Sequence, residues 1–196
     1  MYPLPYEAVL DFYLPRLPLS ASMIIHVAKK AAKAVPDISR NKENVYGSNL
    51  PSIEEFVVSV ITRSNVSVPV LIASLVYLSR LQKYLPSAAT GCPSTPHRIF
   101  LVALILADKA HNEYSTKNTH WSQYSAIAEH NFPGFSIGEV NRMERQFLYL
   151  LDWDIRIDPQ DLYDQLEPLL MLASPYPPLF LQSDLGWARD CYVSVR

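Results

Sequence analysis

Apolar residues recur at helical spacing along most of the chain, and polar or proline-containing segments separate the helices that this spacing predicts. Ser52-Ile-Glu-Glu55 has the form of a capping box and opens a helix that fades near Ser64. A second helix begins around Ser67-Val68-Pro69 and ends at Leu85-Pro86. No segment shows the clear alternation of apolar and polar residues typical of a β-strand. The pattern therefore predicts an all-α fold.

The third predicted helix is apolar on every side, which places it at the centre of a bundle. Thr95-Pro96 reads as its cap and first turn, and Ile99–Ala107 contains only apolar residues. A shorter fourth helix covers roughly Thr119–Glu129. A second capping box, Ser136-Ile-Gly-Glu139, opens the fifth helix, and Asp158-Pro159 caps a sixth.

These elements predict one five-helix domain at 51–157 with an extension on each side. The extension at 1–50 begins with an extended segment and contains one helix, at Ser20–Val35, with Lys29, Lys30 and Lys33 on one face. The extension at 158–196 contains the sixth helix and an irregular tail.

The fifth helix carries a glutamate inside its apolar stripe. At about 100° per residue, Glu144 falls between Leu151 and Leu148. The other members of this arc are Val140, Met143, Phe147 and Leu150. A buried charge without a partner is costly, so Glu144 needs one. The partner could come from this chain or from another protein. On the second hypothesis, the isolated chain leaves Glu144 at an open apolar surface, unpaired or weakly paired with Lys109.

Lys109 lies where the central apolar helix ends, just after Asp108. A lysine at this place can extend its ammonium group into water, or it can be favoured there by the helix dipole. It can also contact a partner. The spacing alone leaves these alternatives open.

Composition and charge narrow the function classes. The chain has 196 residues, of which 49% are hydrophobic and 18% charged, and a net charge of −2. This balance argues against binding nucleic acid or an anionic membrane through charge. Two cysteines, Cys92 and Cys191, do not form a disulfide framework. We therefore expect a reducing compartment, the nucleus and cytoplasm.

The sequence contains no pattern typical of an enzyme. There is no nucleophile elbow, no glycine-rich phosphate loop and no zinc-binding histidine spacing. His97 is expected at the surface or at the edge of the core. We predict no catalytic residue, metal site, cofactor or small-molecule substrate, and a helical enzyme is the weakest hypothesis.

Two groups of residues resemble the cyclin box. Ala107-Asp-Lys109 ends the central helix, and Met143-Glu144 is followed by Leu148 in a later one. The run from Ala89 to Phe100, which includes Thr-Gly-Cys-Pro-Ser-Thr-Pro-His-Arg, is similar to that of the fungal PCL cyclins. These are regulatory partners of the phosphate-system cyclin-dependent kinase, and the resemblance is strongest to the branch linked to G1 progression and polarised growth.

The resemblance implies a kinase-binding site. In cyclins, the equivalent lysine and glutamate hydrogen-bond to backbone groups near the start of the kinase's C-helix and hold that helix inward. Lys109 and Glu144 would take these roles, and Leu148, Trp153 and Ile155 match apolar contact positions. The implied partner is a cyclin-dependent kinase in a heterodimer, to which the cyclin contributes no catalytic group.

Two departures from other cyclins qualify the resemblance. The helix at Ile53–Ile61 lacks the Met-Arg-Ala-Ile-Leu pattern that recruits substrates in mitotic cyclins, and no complete second box follows Asp158. The alternative hypothesis is a cyclin-fold scaffold or transcription adaptor without kinase activation. The net charge of −2 and the single box weigh against it.

Overall fold

The computed structural model describes residues 18–34, 37–38, 46–85 and 89–173, and these residues form an all-α fold. The predicted tail and the start of the N-terminal extension lie outside these residues. The elements, in chain order, are α1 (Ala21–Ala32), β1 (Asp37–Ile38), α2 (Ile53–Ser64), α3 (Val68–Tyr84), β2 (Thr90–Gly91), α4 (Thr95–His111), α5 (Asn118–Tyr124), α6 (Ile137–Leu150) and α7 (Pro159–Ala173). Short 3-10 helices lie at Gly47–Asn49 and Ala128–His130.

The two strands were not predicted. Asp37 pairs with Thr90 and Ile38 with Gly91, in parallel. A strand of two residues is too short to show alternation in a sequence. The pairing connects the segment after α1 to the loop before α4.

Helix α4 is the centre of the fold, as its apolar sequence predicts. Phe100 through Ala107 are all buried, and α4 packs against α1, α2, α3, α5 and α6. Helix α7 packs against α1 and α3 instead. A helix that is apolar on every side is stable in water only when other helices surround it.

Most of the helix N-termini have the capping residues that the sequence predicts. Both capping boxes form, at Ser52 with Glu55 and at Ser136 with Glu139. Helix α1 is shorter than predicted, and Ser20 caps it by accepting a hydrogen bond from the Met23 backbone N–H at 3.2 Å.

The predicted cap of α4 is wrong by one residue. Ser94 occupies the N-cap position and Thr95 is the first helical residue. The Ser94 hydroxyl makes no capping hydrogen bond and instead accepts one from Arg98 Nε at 3.2 Å.

Helix α5 ends earlier than predicted because the chain turns at Ser125. The buried Ser125 hydroxyl donates to the Ser122 carbonyl at 2.7 Å and accepts from the Phe135 backbone N–H at 2.8 Å. Gly134 allows this close approach, since a Cβ atom there would lie 2.6 Å from Ser125 Oγ, and its φ is +78°. The turn brings the start of α6 against α5.

His97 is more deeply buried than expected. It is 4% exposed, its Nε2 lies 3.0 Å from the Pro51 carbonyl oxygen, and its ring packs edge-on against Phe56. Burial lowers the pKa of His97 below its usual value. The residue is therefore part of the core.

Arg98 and Glu139 join the start of α4 to the start of α6. Arg98 Nη2 lies 2.7 Å from Glu139 Oε1, and the guanidinium lies over the ring of Phe135, 4.6 Å from its centroid. The Tyr46 hydroxyl also donates to Glu139, at 3.1 Å. Partial burial raises the pKa of Glu139, but the hydrogen bonds from Arg98 and Ser136 outweigh it and bring the pKa to about 2.

We predict that Glu139→Gln lowers the free energy of unfolding at pH 7 by about 1–2 kcal/mol, because it removes a charged hydrogen-bond acceptor. The pKa is lower in the folded chain, so this stabilisation is present above the unfolded value of 4.5 and is lost as the pH falls towards 2. Urea unfolding at pH 7, 4.5 and 3 measures it. The gap between the two proteins should narrow with acid, and a constant gap contradicts the assignment.

Candidate functional site

The predicted lysine and glutamate meet at the surface between α4 and α6. Lys109 Nζ, at the end of α4, lies 2.5 Å from Glu144 Oε1, in the middle of α6. The Glu144 side chain is 15% exposed, whereas that of Lys109 is 32% exposed. The carboxylate is therefore mostly covered, and the ammonium group lies near the edge of the site.

A second partner of Glu144, Asn118, was not found from the sequence. Asn118 is the first residue of α5, and its side-chain Nδ2 donates to Glu144 Oε2 at 2.6 Å and to Asn141 Oδ1 at 2.7 Å. The expectation that Glu144 is unpaired or weakly paired at an open apolar surface is therefore wrong. No pattern in the sequence points to Asn118, since only the packing of α5 against α6 brings it there.

The loop between α4 and α5 is held by a buried aspartate. Asp108 is 5% exposed and accepts hydrogen bonds from Asn112 Nδ2 at 2.6 Å and from the Thr116 backbone N–H at 2.8 Å. These bonds shape the loop that leads to Asn118. Asp108 thus helps to place Asn118, which follows this loop, whereas Lys109 is placed by helix α4 itself.

The site retains hydrogen-bonding capacity for a partner. An ammonium group has three N–H donors, and Lys109 uses one of them on Glu144. Each oxygen of a carboxylate can accept about two hydrogen bonds, and each oxygen of Glu144 accepts one from Lys109 or Asn118. The pair can therefore still donate to a carbonyl and accept from an N–H group.

Helix α6 ends in a Schellman motif that joins two of the predicted contact residues. The Trp153 backbone N–H donates to the Leu148 carbonyl at 2.8 Å, and that of Asp152 donates to the Tyr149 carbonyl at 3.1 Å. Asp152 and Trp153 have positive φ, 52° and 59°. Glycine usually occupies the first of these positions, so the sequence with Asp152 did not reveal the motif.

The segment after α6 is held by its backbone while its apolar side chains stay exposed. The Tyr77 hydroxyl donates to the Ile155 carbonyl at 2.8 Å, and Arg80 Nη1 donates to the Asp154 carbonyl at 3.3 Å. Burial raises the pKa of Tyr77 to about 12. Trp153 is 64% exposed and Ile155 38% exposed, whereas Leu148 is half-buried.

The five residues singled out by the resemblance thus occur in two groups. Lys109 and Glu144 are in contact. Leu148 lies one helical turn after Glu144, Trp153 bonds to its carbonyl, and Ile155 follows two residues later. Leu150, predicted in the apolar stripe, is 43% exposed, because it lies at the far edge of α6 from Glu144.

Within the described ranges, no three His, Cys, Asp or Glu side chains lie together as metal ligands would. None of the helices in that part of the chain combines the length and apolar character needed to cross a bilayer.

The chain is similar in sequence to known proteins. The sequence model of the family described as Cyclin matches residues 8–155. Three relatives from Saccharomyces cerevisiae are similar: PHO85 cyclin-1, 43% identical over 123 residues; PHO85 cyclin-9, 38% over 165; and PHO85 cyclin-2, 37% over 166. The alignments cover 63%, 84% and 84% of this chain and 42%, 51% and 51% of the relatives. The chain thus spans about half the length of these relatives.

We predict that Asp152→Gly raises the free energy of unfolding by about 1 kcal/mol, because glycine adopts a positive φ without the steric cost of a Cβ atom. The matched control is Asp152→Ala, which removes the same carboxylate but keeps the Cβ atom. Urea unfolding of the three proteins measures the effect. Equal stability of the glycine and alanine variants would show that the left-handed turn costs nothing here.

Proposed function

This chain belongs to the cyclin family, and on that premise we propose that it is the regulatory subunit of a cyclin-dependent protein kinase. The proposed kinase is of the phosphate-system type, related to the PHO85 in the names of the relatives. We place the complex in the nucleus and cytoplasm, in the control of cell division or polarised growth. The chain supplies no catalytic group of its own in this proposal.

The observation that carries the proposal is the Lys109–Glu144 pair, which joins α4 to α6 and keeps spare donors and acceptors beside the helix that leads to the exposed Trp153. Because Asn118 and Lys109 already hold Glu144, little side-chain entropy is lost when a partner binds. Lys109 then donates to a carbonyl of the kinase and Glu144 accepts from an N–H group, as the resemblance implies.

Leu148, Trp153 and Ile155 supply the apolar part of the proposed interface. A large aromatic side chain that is mostly exposed in the free protein and covered in a complex is a frequent source of binding energy. The hydrogen bonds from Tyr77 and Arg80 hold the backbone of this segment, so its side chains are presented in one arrangement.

Activation follows from which kinase state the surface fits. A kinase is active when its C-helix lies inward and its own lysine–glutamate pair aligns the nucleotide phosphates. A subunit that binds this state more tightly than the other raises its population. In this proposal, Lys109 and Glu144 act by binding the inward C-helix.

We predict that the double variant Lys109→Ala/Glu144→Ala loses kinase co-purification and kinase activation while remaining folded. Both partners of a partly exposed ion pair are removed, so the free energy of unfolding falls by only about 1 kcal/mol. Kinase capture measures binding, phosphorylation by the captured complex measures activation, and the circular dichroism melting curve measures stability.

The matched control is Glu54→Ala/Lys83→Ala, which removes one exposed side chain of each sign outside the site. It should capture kinase like the unaltered chain. If the Lys109/Glu144 double variant unfolds, the pair is structural, and if it stays folded and captures kinase normally, the site is misplaced.

We further predict that Trp153→Ala weakens kinase binding by about 2 kcal/mol, or about thirtyfold, because it truncates a central aromatic contact. Tyr84→Ala is the control, since Tyr84 is also an aromatic residue and is 61% exposed, against 64% for Trp153. Titration of the purified kinase measures both. Equal affinities of the two variants would exclude Trp153 from the interface.

A further inference from the structure

The solvent-facing side of α6 carries two arginines without acidic partners. Each of the two glutamates of this helix forms an ion pair with a basic residue of α4: Glu139 with Arg98, and Glu144 with Lys109. Arg142 and Arg145 are exposed and make no ion pair with any described residue. The packing of α6 on α4 thus separates the charges of α6, with the carboxylates inside and the guanidinium groups outside.

The two arginines line a shallow cleft together with Gln146, Tyr149 and Leu150. Tyr149 is 77% exposed, and Leu150 is 43% exposed. Arginine and exposed aromatic residues are enriched in protein interfaces and among the side chains that contribute most to binding.

An apolar groove of about 300 Å³ adjoins this cleft. The two share Gln146 and Leu150, and the groove continues between α3, α4 and α6 over Leu81, Ile99 and Phe147. Its charged lining residue, Arg98, is already paired with Glu139, and neither the groove nor the cleft is lined by a described aspartate or glutamate. The groove and the cleft together form one surface, apolar at one end and positively charged at the other.

This surface differs from the proposed kinase-binding edge of α6. At about 100° per residue, Arg145, Leu150 and Arg142 lie about 100°, 120° and 160° around the helix from Glu144. A partner that contacts Glu144 and Leu148 therefore approaches a different side of α6 from the one that carries the groove.

We propose that this surface, termed the α6 docking surface (Arg142, Arg145, Gln146, Tyr149, Leu150 and the groove beyond), binds a short linear segment of a partner protein with an apolar side chain and nearby acidic residues. The apolar side chain enters the groove, and the acidic side chains pair with Arg142 and Arg145. The planar guanidinium group of an arginine can donate two parallel hydrogen bonds to one carboxylate. As a route for recruiting kinase substrates, this role rests on the proposed function, but the binding itself does not.

The helix geometry sets the spacing of the segment. Arg145 and Arg142 lie about 7.5 Å and 12 Å along the helix from Leu150, at 1.5 Å per residue. An extended peptide advances about 3.3 Å per residue. The acidic residues should therefore stand about two to four positions from the apolar anchor.

Charge favours a protein segment over a nucleic acid. Nucleic-acid binding requires several cationic contacts along a backbone, and this surface offers two arginines without acidic partners on a chain of net charge −2. A nucleic acid also carries no aliphatic side chain that could fill the apolar groove. The groove and the arginines together match a peptide that carries both kinds of side chain.

The test is selection of a displayed library of random 12-residue peptides on the full-length chain without kinase. The enriched peptides should carry a leucine, isoleucine or phenylalanine with aspartate or glutamate two to four positions away. The strongest peptide, labelled with fluorescein, should bind with an affinity that falls as salt rises. No enrichment, or enrichment without acidic residues, would overturn the proposal.

Variants locate the bound peptide. Arg142→Glu/Arg145→Glu should raise the Kd of the labelled peptide at least tenfold, and replacing the acidic residues of the peptide by glutamine should have a similar effect. The matched control, Lys29→Glu/Lys33→Glu, makes the same change of charge on exposed residues of α1 and should leave the Kd unchanged. An equal loss in both variants would indicate a nonspecific effect of charge and would overturn the site.

Three further measurements distinguish this proposal from its alternatives. Lys109→Ala/Glu144→Ala should retain peptide binding, so that a failure of the kinase proposal is distinguishable from a failure of this one. Displacement of the peptide by a 20-nucleotide single strand more readily than by unlabelled peptide would overturn the proposal. So would light scattering that shows a dimer of this chain dissolved by Arg142→Glu/Arg145→Glu, since a second copy would then be the occupant.

Discussion

The complete burial of α4 is the constraint on which the rest of the structure depends. All of its side chains from Phe100 to Ala107 are apolar. Because exposing them to water would be unfavourable, five helices pack around them. Charges can occur on α4 only at its ends. Arg98 at one end and Lys109 at the other each form an ion pair with a glutamate of α6.

Helix α6 has three distinct sides. Its apolar side, with Val140 and Phe147, is buried against the core. One edge carries Glu144 and leads through Leu148 to the exposed Trp153, where the kinase is proposed to bind. The solvent side keeps its arginines without acidic partners. Glu139, three residues before Arg142, pairs with Arg98 instead, and Glu144 does not have the spacing to pair with either arginine along the helix. One helix can therefore serve two partners.

Short-range signals were reliable where a few neighbouring residues decide the outcome. The capping boxes at Ser52 and Ser136 form as predicted, since each needs only residues three positions apart. The same reasoning failed at Ser94, whose hydroxyl serves Arg98 instead of the helix end, and at Asp152, which stands where glycine is usual. Arg98, which takes the Ser94 hydroxyl, is itself paired with Glu139 of α6, and the turn at Asp152 forms without the glycine by which such a turn is usually recognised.

The sequence by itself determined the all-α class, the order of the helices, the central place of α4 and the need of Glu144 for a partner. These follow from hydrophobic periodicity and from the cost of burying a charge. Only the tertiary structure decided that the partners are Lys109 together with Asn118, and that Trp153 and Leu148 are joined by the turn after α6. Those contacts link residues from different helices or depend on an uncommon backbone conformation, and neither leaves a pattern that spacing along one helix can reveal.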